Sequence, residues 1–229
     1  MTLKKFTIFG ERCSGTNFLE ELVFLNFDTE LTWDYGFKHF FGFDSFEGSE
    51  DTLFICIVRH AFTWINSLRS NPHHLIPGML KDTQTFLSHR VVSLDESGKL
   101  IRSDHHIETR KPYKNLYELR RVKNDFLIHR LPQLVKNYIF FRYEDLCDNF
   151  QSQMERLTHF LPRRQETDFK LFKQPTWYKK ERNTTFVPKS YHHISIHEFY
   201  KNNQFDLLRD HEEFLYKDCN DRILVKFTS

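Results

Sequence analysis

Apolar residues gather in three short runs, at residues 6–9, 52–58 and 137–143, each rich in β-branched or aromatic side chains. Thr7 is the one polar member of the first run, and the second is almost continuously apolar. Runs of this length and character predict strands buried on both faces, as in a parallel sheet. Between them the apolar period changes to the helical one. Residues 18–25 and 61–69 read as helices, and 115–131 is amphipathic with Leu116, Leu119, Val122, Phe126 and Leu127 on one face. That assignment puts Arg120, Arg121 and Lys123 on the outer face of the helix. Helices are also expected at 149–161 and 199–216. Residues 31–37 alternate loosely and predict an extended segment, and 44–51 is a loop of Gly, Ser, Asp and Glu. Residues 72–110 are polar and contain Pro, Gly and His. The stretch is long for a structureless connection, which predicts an acceptor-side insertion or a lid. Strand–helix alternation with buried strands predicts an α/β fold, three layers with a central parallel sheet and helices on both faces.

Composition narrows the picture. A chain of 229 residues with 25 Phe and only 7 Gly and 7 Pro can build one core, so a single domain over 1–229 is expected. The net charge of +2, with both signs interspersed, lacks the basic excess of a general nucleic-acid binder. Cys13, Cys56, Cys147 and Cys219 are scattered, giving neither a disulfide framework nor a zinc knuckle. Cys56 lies in an apolar run and reads as a small buried hydrophobe. The pairs His73-His74, His105-His106 and His192-His193 are adjacent in sequence and so do not share a helix face. Loop polarity accounts for them, and no metal is expected. No apolar stretch resembles a signal peptide or is long enough to span a membrane. The expectation is a soluble cytoplasmic protein, with the sequon at 183–185 arising by chance.

The candidate chemistry starts in Gly10-Glu11-Arg12-Cys13-Ser14-Gly15-Thr16-Asn17, between the first strand and the first helix. A turn that opens a helix in this way aims backbone N–H groups and the positive end of the helix dipole at one point, where an anion can sit. Gly15 permits close approach, Ser14, Thr16 and Asn17 add donors, and Arg12 adds charge. The turn is not a triphosphatase P-loop: Thr16 stands where that motif has Lys. A plain helix start, with Ser14 or Thr16 as N-cap, fits the stretch equally well. Arg59 falls at the carboxyl end of the second strand, and His39 can join it there. Ligands of parallel sheets bind at those ends.

Three motifs together resemble the sulfotransferases that use 3′-phosphoadenosine-5′-phosphosulfate (PAPS). Arg12-Cys13-Ser14-Gly15-Thr16-Asn17 resembles the 5′-phosphosulfate loop of that family. Val58-Arg59-His60 with Ser67 resembles its 3′-phosphate motif, and Phe141-Arg142-Tyr143-Glu144-Asp145-Leu146 its Tyr-Glu-Asp strand end. The resemblance implies a P-loop NTPase-like αβα fold. It also implies PAPS as donor and 3′-phosphoadenosine-5′-phosphate (PAP) as product, no metal, and a hydroxyl or amine of a glycan or small molecule as acceptor. On that basis Arg12, Cys13, Ser14, Gly15, Thr16, Asn17, Arg59 and Ser67 bind the donor, and Tyr143 lies near the adenine. His39 is the expected base, with Glu20 and Glu11 as alternatives. Cys13 occupies the position where the family carries Lys or Arg, so Arg12 or Lys38 must supply the positive charge at the leaving oxygen. Lys179, Lys180, Arg182 and Lys189 are candidates for further 3′-phosphate contacts, with a solvated basic face as the plainer account. Two other readings stay open: a phosphotransferase with a degenerate P-loop, and a PAP-binding module without catalysis.

Overall fold

The computed structural model describes residues 2–171. The expectations for Cys219, His192-His193, the sequon, the basic residues from Lys179 to Lys189 and the helix at 199–216 lie outside the described residues. Within them the chain forms two compact units, one of residues 2–59 and 124–171 and one of residues 60–123.

The first unit is built on four strands, Lys5–Phe9 (β1), Glu30–Leu31 (β2), Thr52–Val58 (β3) and Tyr138–Arg142 (β4). All pairings are parallel, in the order β2-β1-β3-β4. The α/β character and the parallel sheet expected from the apolar runs are what the structure shows. Register follows the apolar pattern: Ile8 lies opposite Ile55, and Ile55 opposite Ile139. With period two, Phe6, Ile8, Leu53, Ile55, Ile57, Ile139 and Phe141 all share one face. That face is covered by Thr16–Asn26 (α1) through Leu19, Leu22 and Val23. Tyr143–Asp148 (α6) and Phe150–Leu157 (α7) complete the cover through Leu146, Met154 and Leu157. The opposite face is closed by aromatic rings. Phe9 stacks on Phe41 with centroids 5.2 Å apart, Phe54 meets Tyr35 and Phe46, and Phe41 stacks on Phe126. Each fully buried ring or branched side chain contributes about 1.5–3 kcal/mol, so this high Phe content is core material.

Element boundaries depart from the sequence expectation at four places. The extended segment at 31–37 is strand only at Glu30–Leu31. Tyr143 opens α6, a helix not expected there, instead of ending the strand. The helix expected at 149–161 is α7, which stops at Leu157. The helix expected at 115–131 is Leu116–Asp125 (α4), a π-helical turn at Phe126–Arg130, and Leu131–Leu134 (α5). The π turn aims Phe126 at Phe41.

The second unit contains Ala61–Ser70 (α2), Thr83–Ser88 (α3) and α4 as far as Lys123. His60 caps α2, its Nδ1 accepting from Phe62 N at 3.3 Å, and Asp82 caps α3, accepting from Thr85 N at 2.7 Å. Segment 72–110 is therefore not structureless. It carries α3 and two 3₁₀ turns, and it buries Met79, Phe86, Leu87 and Val91. Arg120 and Lys123 are not on an outer face: each is 1% exposed. Lys123 Nζ donates to Asp104 Oδ1 at 2.7 Å, Asp104 Oδ2 accepts from Ser93, and the Arg120 guanidinium lies 5.1 Å from the Trp64 ring. A charge placed on the apolar side of a helix is tolerable when its partner is buried with it.

Candidate active site

The carboxyl ends of β1, β3 and β4 lie side by side, and the chain reverses direction across the sheet between β1 and β3. Ligands of open parallel sheets bind at such a switch point. The turn after β1 is shaped by two glycines. A Cβ on Gly10 would stand 2.6 Å from the Ile57 carbonyl oxygen, so only glycine lets β1 leave the sheet against β3. Gly15 has φ +97°, and a Cβ there would stand 2.5 Å from Tyr143 Cδ2. Between them Cys13 also takes a left-handed φ of 63°, and Ser14 N donates to the Glu11 carbonyl at 3.0 Å. Gly15 is the N-cap of α1, with no side-chain capping bond, so neither Ser14 nor Thr16 caps the helix. No acidic residue occupies the first turn of α1. The dipole and leading amides of an eleven-residue helix therefore open onto the turn without a carboxylate from that first turn.

Gly10 also grips the Lys38-His39 segment. Its N–H donates to the Lys38 carbonyl at 3.0 Å, and its carbonyl accepts from His39 Nδ1 at 2.8 Å. A carbonyl can only accept, so Nδ1 carries the hydrogen. In the neutral ring Nε2 is then the basic nitrogen.

Arg12 of the turn and Lys38 beside it each lie against a carboxylate. Arg12 is fully buried, and its Nε donates to Glu11 Oε1 at 2.7 Å. Lys38, 7% exposed, donates to Glu20 Oε2 at 3.1 Å and to Asn17 Oδ1 at 2.5 Å. Arg59 is placed differently. Half-buried at the end of β3, it donates through Nη1 to the Cys13 carbonyl at 3.3 Å, and its guanidinium lies 4.6 Å from the centroid of the Tyr143 ring. Burial pushes the Tyr143 phenol up to about 12, the nearby Cys147 adds to that, and Arg59 pulls the other way. Tyr143 thus stays neutral at physiological pH and presents a flat face to the arginine.

Of the residues singled out in the sequence, the structure brings Arg12, Cys13, Ser14, Gly15, Thr16, Asn17, Lys38, His39, Arg59 and Tyr143 into the first unit around these strand ends. Ser67 lies on α2 in the second unit, where its carbonyl accepts from Asn71 N and Nδ2. Glu11 and Glu20, the alternative bases, lie beside Arg12 and Lys38. The signal for Glu20 was its position three residues after Asn17, on the same side of α1. The role of Gly10 carries no signal in the sequence, because its contacts come from Ile57, Lys38 and His39, all distant along the chain.

Among the described residues no group of three or more His, Cys, Asp or Glu side chains is placed to hold a metal ion, and no helix is long and apolar enough to cross a membrane. Comparison with family models, with curated proteins and with solved structures finds no match.

Proposed function

We propose that this chain is a PAPS-dependent sulfotransferase built on a P-loop-like αβα domain. The observation that carries the reading is the meeting of the Gly10–Gly15 turn, Arg59 and Tyr143 at adjacent strand ends, with His39 held on Gly10. The donor set suits a molecule with two separated anionic groups and a base. The amides opening α1 would hold the 5′ end, the planar fork of Arg59 suits a phosphate, and Tyr143 offers a ring for adenine.

PAPS supplies an activated sulfuryl group: the acceptor oxygen–sulfur bond forms while the bond from sulfur to the 5′-phosphate oxygen breaks, and that oxygen leaves with the electron pair as PAP. The protein's part is to hold the reactants in line and to move one proton. Nδ1 of His39 is committed to Gly10, so Nε2 takes the acceptor's hydrogen. Lys38, poised between Asn17 and Glu20, supplies positive charge near the leaving oxygen. One observation favours a second reading, a PAP-binding module without turnover. Arg12 and Lys38 are already compensated, and Cys13 stands where a further cation is expected.

Calorimetric titration with PAP, with ATP and magnesium as control, tests the reading. Micromolar PAP binding without metal, with little response to ATP, is expected. Losing a charge-assisted contact of about 1.5–3 kcal/mol, Arg59→Ala weakens PAP roughly ten- to a hundredfold. His39→Ala leaves binding near normal and removes turnover. Absence of PAP binding sinks the proposal, binding without turnover on any acceptor selects the second reading, and normal turnover by His39→Ala removes the base assignment.

A further inference from the structure

We infer that His106 is a proton-operated latch: it closes the turn at 105–111 of the second unit while its ring is neutral, and releases it when the ring gains a proton. The inference stands apart from the sulfotransferase reading. Its ground is the direction of the hydrogen bonds. His74, His89 and His105 set Nδ1 against the carbonyls of Leu94, Arg90 and Arg110, at 3.1, 2.6 and 3.0 Å. A carbonyl only accepts, so each of these rings donates, and an imidazolium donates there equally well. His106 does the reverse. Its Nδ1 accepts from Glu108 N at 3.2 Å and from Thr109 N at 3.5 Å. An N–H only donates, so Nδ1 holds a lone pair and the neutral ring carries its hydrogen on Nε2. The next proton goes to Nδ1, where it removes the acceptor and sets a positive ring against two N–H groups. His60 has the same polarity with one bond, from Phe62 N. At His106 two amides and a whole turn depend on it.

The rest of the turn is built around the same residue. His106 N donates to the Lys111 carbonyl at 2.8 Å, and Arg110 N donates to the His106 carbonyl at 2.9 Å. Arg110 takes a left-handed φ of 59°, a conformation that persists only while its surroundings hold it. The charges around the ring do not favour an imidazolium. The ring stacks on Tyr113, with centroids 5.5 Å apart and planes at 24°. Lys123 of α4 already lies against that tyrosine, 5.9 Å from its centroid. Asp104, the buried carboxylate before the turn, is bonded to Lys123 and Ser93. Within the turn Glu108 is the one carboxylate, set against Arg110 and Lys111, and all three are exposed. A protonated His106 would gain a cation–π contact on a ring it shares with Lys123, and would lose both amide donors. The loss outweighs the gain, so acid opens the turn. Closure is complete above the histidine range and is lost as pH falls through it. Opening changes how the turn presents the charges of Arg110 and Lys111.

Hydrogen exchange of the full chain tests the latch, followed residue by residue by NMR at about pH 7.5 and about pH 5, either side of the ordinary histidine value of about 6.5. Rates are corrected for the intrinsic effect of pH. At the higher pH the ring nitrogen shifts are expected to show His106 in the Nε2–H form and His105 in the Nδ1–H form. At the lower pH the Glu108 and Thr109 amides lose protection by about two- to thirtyfold, the worth of one capping side chain. His106→Asn keeps that protection at both values, because its Oδ1 accepts as Nδ1 does and does not titrate. His106→Phe retains a ring to stack on Tyr113 and is unprotected at both. The Thr85 amide is the internal control. It is capped by Asp82, whose carboxyl is held below its ordinary value chiefly by that same amide and so stays charged at the lower pH. Unchanged protection in the parent, an Nδ1–H form of His106, or loss of protection in His106→Asn overturns the latch. Loss at Thr85 alongside Glu108 and Thr109 also overturns it, because the whole unit would then be opening.

Discussion

The turn between β1 and α1 holds two left-handed residues, Cys13 at φ 63° and Gly15 at φ 97°, and Gly15 is also crowded. A side chain in the left-handed region costs about 1–2 kcal/mol. At Gly15 a Cβ would in addition run into Tyr143 at 2.5 Å, whereas at Gly48, with φ +76°, nothing lies within 4 Å. The pair separates backbone cost from packing cost. Gly48→Ala is expected to lower stability by about 1 kcal/mol. Gly15→Ala is expected to cost a further 1–3 kcal/mol or so from overpacking, and to displace Tyr143 from Arg59. Urea denaturation of both variants checks this, and equal losses would mean that the Tyr143 ring does not lean on the turn. The small residues of the turn were legible in the sequence, because only they permit such a backbone. Which glycine is required by conformation and which by a neighbour was not, since Ile57 and Tyr143 reach the turn only through the sheet.

At the scale of elements, the strands were legible and the charged side of α4 was not. Residues 52–58 form a strand because their unbroken apolar run suits nothing but a two-sided burial, and the structure gives Thr52–Val58. A periodic reading of α4 puts Lys123 outside because it counts apolar positions alone. The residue that keeps Lys123 inside, Asp104, is nineteen positions away and carries no periodic signal. With both side chains 1% exposed and Asp104 also bonded to Ser93, the pair ties the 3₁₀ turn at Arg102–Asp104 to α4. Removing one partner strands the other charge, which costs about 3–5 kcal/mol, whereas replacing both by apolar residues of similar volume is close to neutral. Asp104→Leu is therefore expected to destabilise strongly, and Asp104→Leu with Lys123→Met to recover most of the loss. A double-mutant cycle by thermal denaturation measures it. Additive single effects would show that the two charges do not depend on each other.

For the molecule as a whole, the sheet should open only when the first unit unfolds. Cys56 reports on it. It sits mid-strand in β3, wholly buried, and burial pushes its thiol well above the ordinary range. The thiolate is the reactive form, so native Cys56 is inert to alkylation and reacts only from an opened state. Cys147 is exposed on α6. Its thiol is raised too, chiefly by partial desolvation, but solvent reaches it without unfolding. Iodoacetamide labelling resolved by peptide mass should therefore modify Cys147 at a rate that climbs with pH, and Cys56 far more slowly. Its rate should rise steeply with urea. A ligand that binds the folded state suppresses opening in proportion to its occupancy: at a hundred times Kd the gain is about 2.7 kcal/mol, or roughly a hundredfold in the opened population. PAP at that excess is expected to slow Cys56 labelling by about that factor. Cys56 labelling as fast as Cys147 in native buffer would mean that β3 opens without global unfolding. A Cys56 rate indifferent to PAP would place the nucleotide, if it binds at all, away from the sheet whose strand ends carry Arg59 and the Gly10–Gly15 turn.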